Sequence, residues 1–275
     1  MQDNDLQSRS ASYLTVIIWS MVFILLATFY NLGVSCLRYE SQARDIIIVS
    51  AAGFSIILNV IFASQSPALR ENASLSWITT SLVLTLGIAL FPGPAGICLI
   101  SILAILWIVT IGRCSAAASM AGMTILSCCG YLLWIPLLMP LAANIVLPFD
   151  IKLVASIFDL EGNLEELTLF GGHKVRASWE NSSLSNLSSA TVLWLATVGL
   201  ARGRVILVDI MSLLTLLICL FTLNTMKLGL LAQTPHSYEF WSSGHGSALF
   251  GGLTILISVA IPLFGARLVT GKEAR

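Results

Sequence analysis

Three short polar clusters interrupt an otherwise apolar chain, and they hold the side chains best suited to chemistry. The first is Asn181-Ser182-Ser183, followed by Asn186 and Ser188. The second pairs Asn224 with Lys227, one helical turn apart. The third runs from His236 to Gly246 and contains Ser242 and His245. A serine attacks a carbonyl at neutral pH only when a base takes its proton. Ser182 or Ser183 with His245 is the pair that meets this need, provided the last loop folds back. Lys227 lies in an apolar run, where a lysine at a helix centre costs about 2.5–3.5 kcal/mol, which favours a purpose or a snorkelling position. Each cluster also has a plain structural reading. Asn and Ser at a helix start are N-caps, Lys227 reaches the headgroups, and Gly244-His245-Gly246 is a turn. As a phosphate cradle that turn is weak, because no strand precedes it.

The elements that position these clusters follow from the solvent. The chain is 57% hydrophobic and only 10% charged, and its mean hydropathy is +0.91; this composition excludes a soluble globule. Backbone amides in lipid must bond internally, so the apolar runs are helices. Eight are expected, over Leu14–Ser35, Ile46–Ala63, Trp77–Phe91, Ala95–Gly112, Ser119–Leu138, Leu184–Leu200, Val205–Leu231 and Gly246–Ala266. The expected fold is an all-α polytopic bundle, a single membrane domain over 1–275. Fourteen basic residues balance fourteen acidic ones, so no basic field points to nucleic acid. Membrane lipid is the first partner.

Phe91-Pro92-Gly93-Pro94 cannot continue a helix and predicts a tight hairpin between spans three and four. The Ala/Ser/Gly-rich stretch from Gly112 to Gly122 predicts close packing of span five. Pro136 and Pro140 predict a kink or end to that span. The six cysteines, at 36, 98, 114, 128, 129 and 219, lack CxxC spacing and read as small buried hydrophobes. His173, His236 and His245 lack metal-ligand spacing, and neither a metal nor a cofactor is implied. Gly33-Val34-Ser35-Cys36 lacks the Leu of a lipoprotein cleavage site, and the first apolar run is too long for a signal h-region, so it reads as a retained helix.

Lys and Arg in the short loops favour both termini inside, sharpened by Arg202-Gly203-Arg204 and the basic C-terminus. The polar interval, 148–181, is then an extramembrane insertion on the outer face. Phe149 to Phe158 has the pattern of an amphipathic helix lying in the interface. Gly162-Asn163 turns the chain, and Leu164–Phe170 with Lys174–Trp179, around Gly171-Gly172, predicts a β-hairpin. The hairpin delivers Glu180 to Ser183 to the outer end of span six.

The order of these features resembles the exosortase/archaeosortase family of polytopic membrane transpeptidases. The resemblance spans 162–250. It rests on the segment Trp179-Glu180-Asn181-Ser182-Ser183-Leu184-Ser185-Asn186-Leu187-Ser188, on Leu223-Asn224-Thr225-Met226-Lys227-Leu228, and on Tyr238-Glu239-Phe240-Trp241-Ser242-Ser243-Gly244-His245-Gly246. It implies a protein of the bacterial inner membrane that handles C-terminal sorting tails of exported proteins. It also implies a Cys–Arg–His triad at the outer face, acting by acyl transfer. This chain departs from that pattern at every triad position. Asn181 stands where the nucleophilic Cys belongs, and an amide cannot form an acyl-enzyme. Lys227 replaces the Arg and keeps the charge without the planar fork of donors. Ser242 aligns with the His, with His245 one turn later as a substitute. Loss of the nucleophile removes turnover, because the other groups act on an intermediate that never forms. The expectation is a catalytically impaired tail-handling protein. Two alternatives stand beside it: an active peptidase using Ser182 or Ser183 with His245, and a non-enzymatic scaffold or transporter in surface-polysaccharide export.

Overall fold

A computed structural model describes residues 43–66, 94–159, 161–162, 166–168, 174–176, 182–243 and 245–273. The spans expected at Leu14–Ser35 and Trp77–Phe91, the Phe91–Pro94 hairpin, Cys36, Asn181 and Gly244 all lie wholly or mainly outside the described residues. The described helices are α1 (Ala43–Ser64), α2 (Pro94–Thr110), α3 (Ala116–Cys129), α4 (Ile135–Phe158), α5 (Ser183–Arg202), α6 (Leu207–Leu231), α7 (Pro235–Ser243) and α8 (His245–Glu273). Three stretches are long and apolar enough to cross a membrane: Ala116–Leu133, Leu207–Leu231 and His245–Arg267. That fits a helical membrane protein, but with three such stretches among the described residues where the sequence suggested more. Ile47–Ala63 and Pro94–Thr110 are apolar but shorter. Helix α5 has the length, at 20 residues, but the Ser and Asn of its first turns dilute its apolar character. Those turns bend their hydroxyls back onto their own helix: Ser188 Oγ donates to Ser185 O and Ser189 Oγ to Asn186 O.

The chain divides into two compact units. The first comprises Met1–Leu133 with Leu195–Ile206, and the second comprises Trp134–Trp194 with Leu207–Arg275. In the first, Ile56 of α1, Ile97, Ile100, Leu103 and Ala104 of α2, and Ala121, Ile125 and Cys129 of α3 form one buried cluster. The small residues expected to bring span five in close do so. A Cβ on Gly122 would lie 2.6 Å from Ile108 Cγ1, and Trp107 Nε1 donates to Ala118 O at 2.7 Å. Helix α3 is capped by Ser115, whose hydroxyl accepts from Ala118 N.

In the second unit, Ile151 and Val154 of α4 pack with Leu228, Leu231 and Ala232 at the end of α6, flanked by Phe158 and Trp241. A Cβ on Gly229 would lie 2.1 Å from Phe158 Cε2, so the two helices meet ring against backbone. The prolines do not end the helix. A π-helical turn, Gly130–Trp134, runs directly into α4, which carries Pro136, Pro140 and Pro148 within its 24 residues. Proline has no amide hydrogen to give to the carbonyl four residues back, and the π turn stands directly ahead of the first of the three. Because α4 runs unbroken to Phe158, the expected interfacial helix over Phe149–Phe158 is not a separate element but its last part. After it come β1 (Glu161–Gly162), β2 (Glu166–Thr168) and β3 (Lys174–Arg176), an antiparallel sheet in that order. Leu167 stands opposite Val175, and Glu166 opposite Arg176. The sequence reading gave two longer strands and a turn at Gly162. The paired residues are fewer, and Gly162 is itself paired, opposite Leu167. Of the described cysteines, Cys128 and Cys129 are buried, Cys98 and Cys114 are half-buried and Cys219 is exposed. The buried-hydrophobe reading therefore fails at Cys219.

Candidate functional site

The polar start of α5 is held by α4 and α6. Ser182 is the N-cap, its hydroxyl accepting from Ser185 N at 3.3 Å. The next amide, Ser183 N, donates to the Asp150 Oδ2 of α4 at 2.9 Å. The first amides of a helix have no partner within it, and a carboxylate there also meets the positive end of the helix dipole. The Ser183 side chain interacts with the same carboxylate and favours its ionised form. Its oxygen also accepts from Asn224 Nδ2 of α6 at 3.0 Å, and Asn224 Oδ1 accepts from Asn186 Nδ2 at 2.7 Å. Asn186 Nδ2 reaches Ser182 O as well, at 3.5 Å. Asp150, Ser183 and Asn224 are 4%, 3% and 3% exposed. Burial pushes the Asp150 carboxyl above its ordinary value, against the two interactions with Ser183, which favour the ionised form.

Of the sequence-derived site residues, the structure joins Ser182 and Ser183 with Asn186 and Asn224 into this one network. Lys227 follows Asn224 by one turn on α6 and is half-buried. Ser242 is half-buried near the end of α7, and His245 opens α8 and is exposed. Among the described residues the Ser183 amide donates to Asp150 and its hydroxyl accepts from Asn224, and no imidazole is among these partners.

The aromatic segment before α8 has a packing role. A Cβ on Gly246 would sit 2.2 Å from Trp241 Cε3, so glycine is required where the indole lies on the start of α8. Trp241 meets Phe250 edge-on at 5.3 Å and Phe240 at 4.8 Å. These contacts fold α7 back against α8, and Trp241 adds to the core of Ile151 and Leu228.

Asp150 is the residue the motif reading missed. One signal was available: no other acidic residue occurs between Glu71 and Asp150, so this carboxylate ends a long stretch without an acid. Its partner lies 33 residues on, beyond any local pattern. No protein-family model, no characterised protein and no solved structure matches the chain.

Proposed function

We propose that this chain is an exosortase-like protein of the bacterial inner membrane that binds the C-terminal sorting tails of exported proteins without cutting them. The observation that carries the reading is the network joining the Asn/Ser start of α5 to Asn224 of α6. It ties together two of the three segments on which the resemblance rests. The missing cutting step follows from composition: Asn181 offers no nucleophile, and the Ser183 hydroxyl accepts from Asn224. In this reading the chain crosses the membrane about eight times with both termini in the cytoplasm. The 148–181 insertion and the α5 start then face outward, and Lys227 supplies positive charge one turn from Asn224.

Mass spectrometry of tails that co-purify with the protein tests this directly. Intact C-terminal tails of Pro-Glu-Pro type are expected. Clipped tails whose formation stops on Ser182→Ala or Ser183→Ala would replace the reading with that of a serine peptidase working with His245. No tail at all, with Lys227→Ala affecting only folding, would leave a scaffold or transporter.

A further inference from the structure

We propose that the turn holding Arg113 and the turn Arg202-Gly203-Arg204 form one basic patch that binds the phosphate groups of anionic lipids. Binding there requires only that the helices of the first unit stand in a bilayer, not that the protein takes up tails.

Gly203 brings the two turns together. A Cβ on it would lie 3.7 Å from Ala117 Cβ and 4.0 Å from Ala117 Cα, so the end of α5 rests on the first turn of α3. Its φ of 63° turns the chain at that point, as glycine does at a helix end. Arg113 lies in the turn between α2 and α3, just ahead of the Ser115 cap. Arg113 and Arg204 are exposed and make no ion pair among the described residues. Arg202 is half-buried and already engaged within the protein.

The sequence around both turns is free of acid. Arg113 is the one charged residue between Glu71 and Asp150, and Arg202 and Arg204 are the charged residues between Glu180 and Asp209. Asp209 is fully buried and engaged within the protein. Among the described residues of the first unit the one acid is Asp45, near the start of α1. Asn59, on the same helix, has its Oδ1 3.5 Å from the Gly203 Cβ position. At 1.5 Å per residue, Asp45 stands about 21 Å from Asn59 along α1. The Debye length at physiological salt is about 8 Å, so Asp45 does not neutralise the patch.

The start of α3 and the end of α5 meet here, so the positive end of one helix dipole lies by the negative end of the other. The arginines therefore set the sign of the patch. The stretch Ala116–Leu133, which opens directly after the Arg113 turn, is long and apolar enough to cross a membrane. In a bilayer crossed by that stretch, both turns stand at the depth of the headgroups. The planar fork of arginine matches phosphate oxygens, and basic pockets between helices at a membrane edge hold anionic headgroups. Phosphatidylcholine offers the same oxygens but carries its own cation, which makes it the weaker ligand.

The test places the full chain in nanodiscs of mixed phosphatidylglycerol and phosphatidylcholine, and native mass spectrometry counts the lipids that stay bound on release. The parent is expected to retain phosphatidylglycerol in preference. An arginine near an anionic surface contributes about fivefold, the equivalent of about 1 kcal/mol. Arg113→Gln and Arg204→Gln are each expected to lower the preference by about that factor, and the double variant to lower it further. Arg113→Lys keeps the charge and is expected to keep most of it. Arg44→Gln, near the start of α1, is expected to leave it unchanged. Both exposed arginines lie outside the packed cores, and equal helical circular dichroism of parent and variants excludes misfolding. Equal retention of the two lipids by the parent overturns the proposal, and so does a preference that survives in the double variant. A loss in Arg44→Gln as large as in Arg113→Gln overturns it too, since total charge and not the patch would then attract the lipid. Release of phosphatidylglycerol by an excess of inorganic phosphate would make free phosphate the ligand and end the lipid assignment.

Discussion

The two units bury polar side chains in different ways. In the first, α1 presents Ser55 and Asn59 to the last turns of α5. Ser55 Oγ donates to Ala196 O at 2.9 Å, and Asn59 Nδ2 returns to Ser55 O on its own helix at 2.9 Å. Asn59 Oδ1 has no hydrogen-bond partner among the described residues. What closes this contact is size: a Cβ on Gly199 would lie 2.8 Å from both Asn59 Nδ2 and Ser55 Oγ. Gly203, at φ 63°, then ends the helix in the left-handed region that glycine adopts freely. In the second unit the polar groups run from helix to helix and stop at a charge. Neutral groups that bond mostly to their own backbone serve packing. A chain that spans three helices and ends on a buried carboxylate orders specific atoms in space, and that is what a site requires.

This contrast breaks most sharply at Asn224. Asn224→Ala removes two contacts between helices and leaves Ser183 and Asn186 short of a partner, a loss of about 1–3 kcal/mol. Unfolding in mixed detergent would measure it, and a double-mutant cycle with Ser183→Ala is expected to show coupling above about 0.5 kcal/mol. An additive cycle would mean that the network is a set of independent bonds. In the first unit, Gly199→Ala is expected to cost about 1–2 kcal/mol net, because overpacking outweighs the helix-propensity gain of alanine. Smaller again is Asn59→Ala, expected to cost less than about 1 kcal/mol, since the side-chain NH2 group serves Ser55 on its own helix and its oxygen has no partner among the described residues. If Asn59→Ala proved as damaging as Asn224→Ala in the same assay, the distinction between packing and site would collapse.

Helix positions were legible because hydrophobic runs report them directly. The span read at Val205–Leu231 is helix Leu207–Leu231, and that at Gly246–Ala266 falls within His245–Glu273. Which runs suffice to cross a membrane was less legible, since α5 reads as apolar in its second half but opens on Ser and Asn. The prolines misled for a local reason. Pro136 and Pro140 forbid particular amide bonds, but the π turn at Gly130–Trp134 lies upstream, and no single-residue rule announces it. At the site, Ser182, Ser183, Asn186 and Asn224 could be named from type and order. Asp150 was read as one polar residue of an amphipathic helix, because its meaning depends on an amide 33 residues away. Gly246 was seen as a turn residue, and the indole that demands it lies on the preceding helix.

The smallest expected effect concerns acid. The Asp150 carboxyl is raised in the folded protein, chiefly by burial, so between its ordinary value and its folded value the native state holds a proton that the unfolded chain has released. Stability therefore falls as pH rises through that window and levels off above it, once Asp150 is ionised in both states. This is the reverse of a carboxylate held by a salt bridge. Asp150→Asn removes the titration and, because its oxygen still accepts the Ser183 amide, is expected to match or exceed the parent in stability at neutral pH. Melting temperatures of the two proteins across the acidic range provide the measurement, and the difference between them cancels the other titrating groups. The gap in favour of Asp150→Asn should open as pH rises and then hold. A gap of opposite sign would mean that the Ser183 hydrogen bonds outweigh burial, and that the charge stabilises the first turn of α5 instead of costing it. The first outcome means that burial of the carboxyl costs the fold more than its bonds to Ser183 return; the second makes Asp150 a cap like Ser115 of the first unit, and the comparison between the two units would then rest on Asn224 alone.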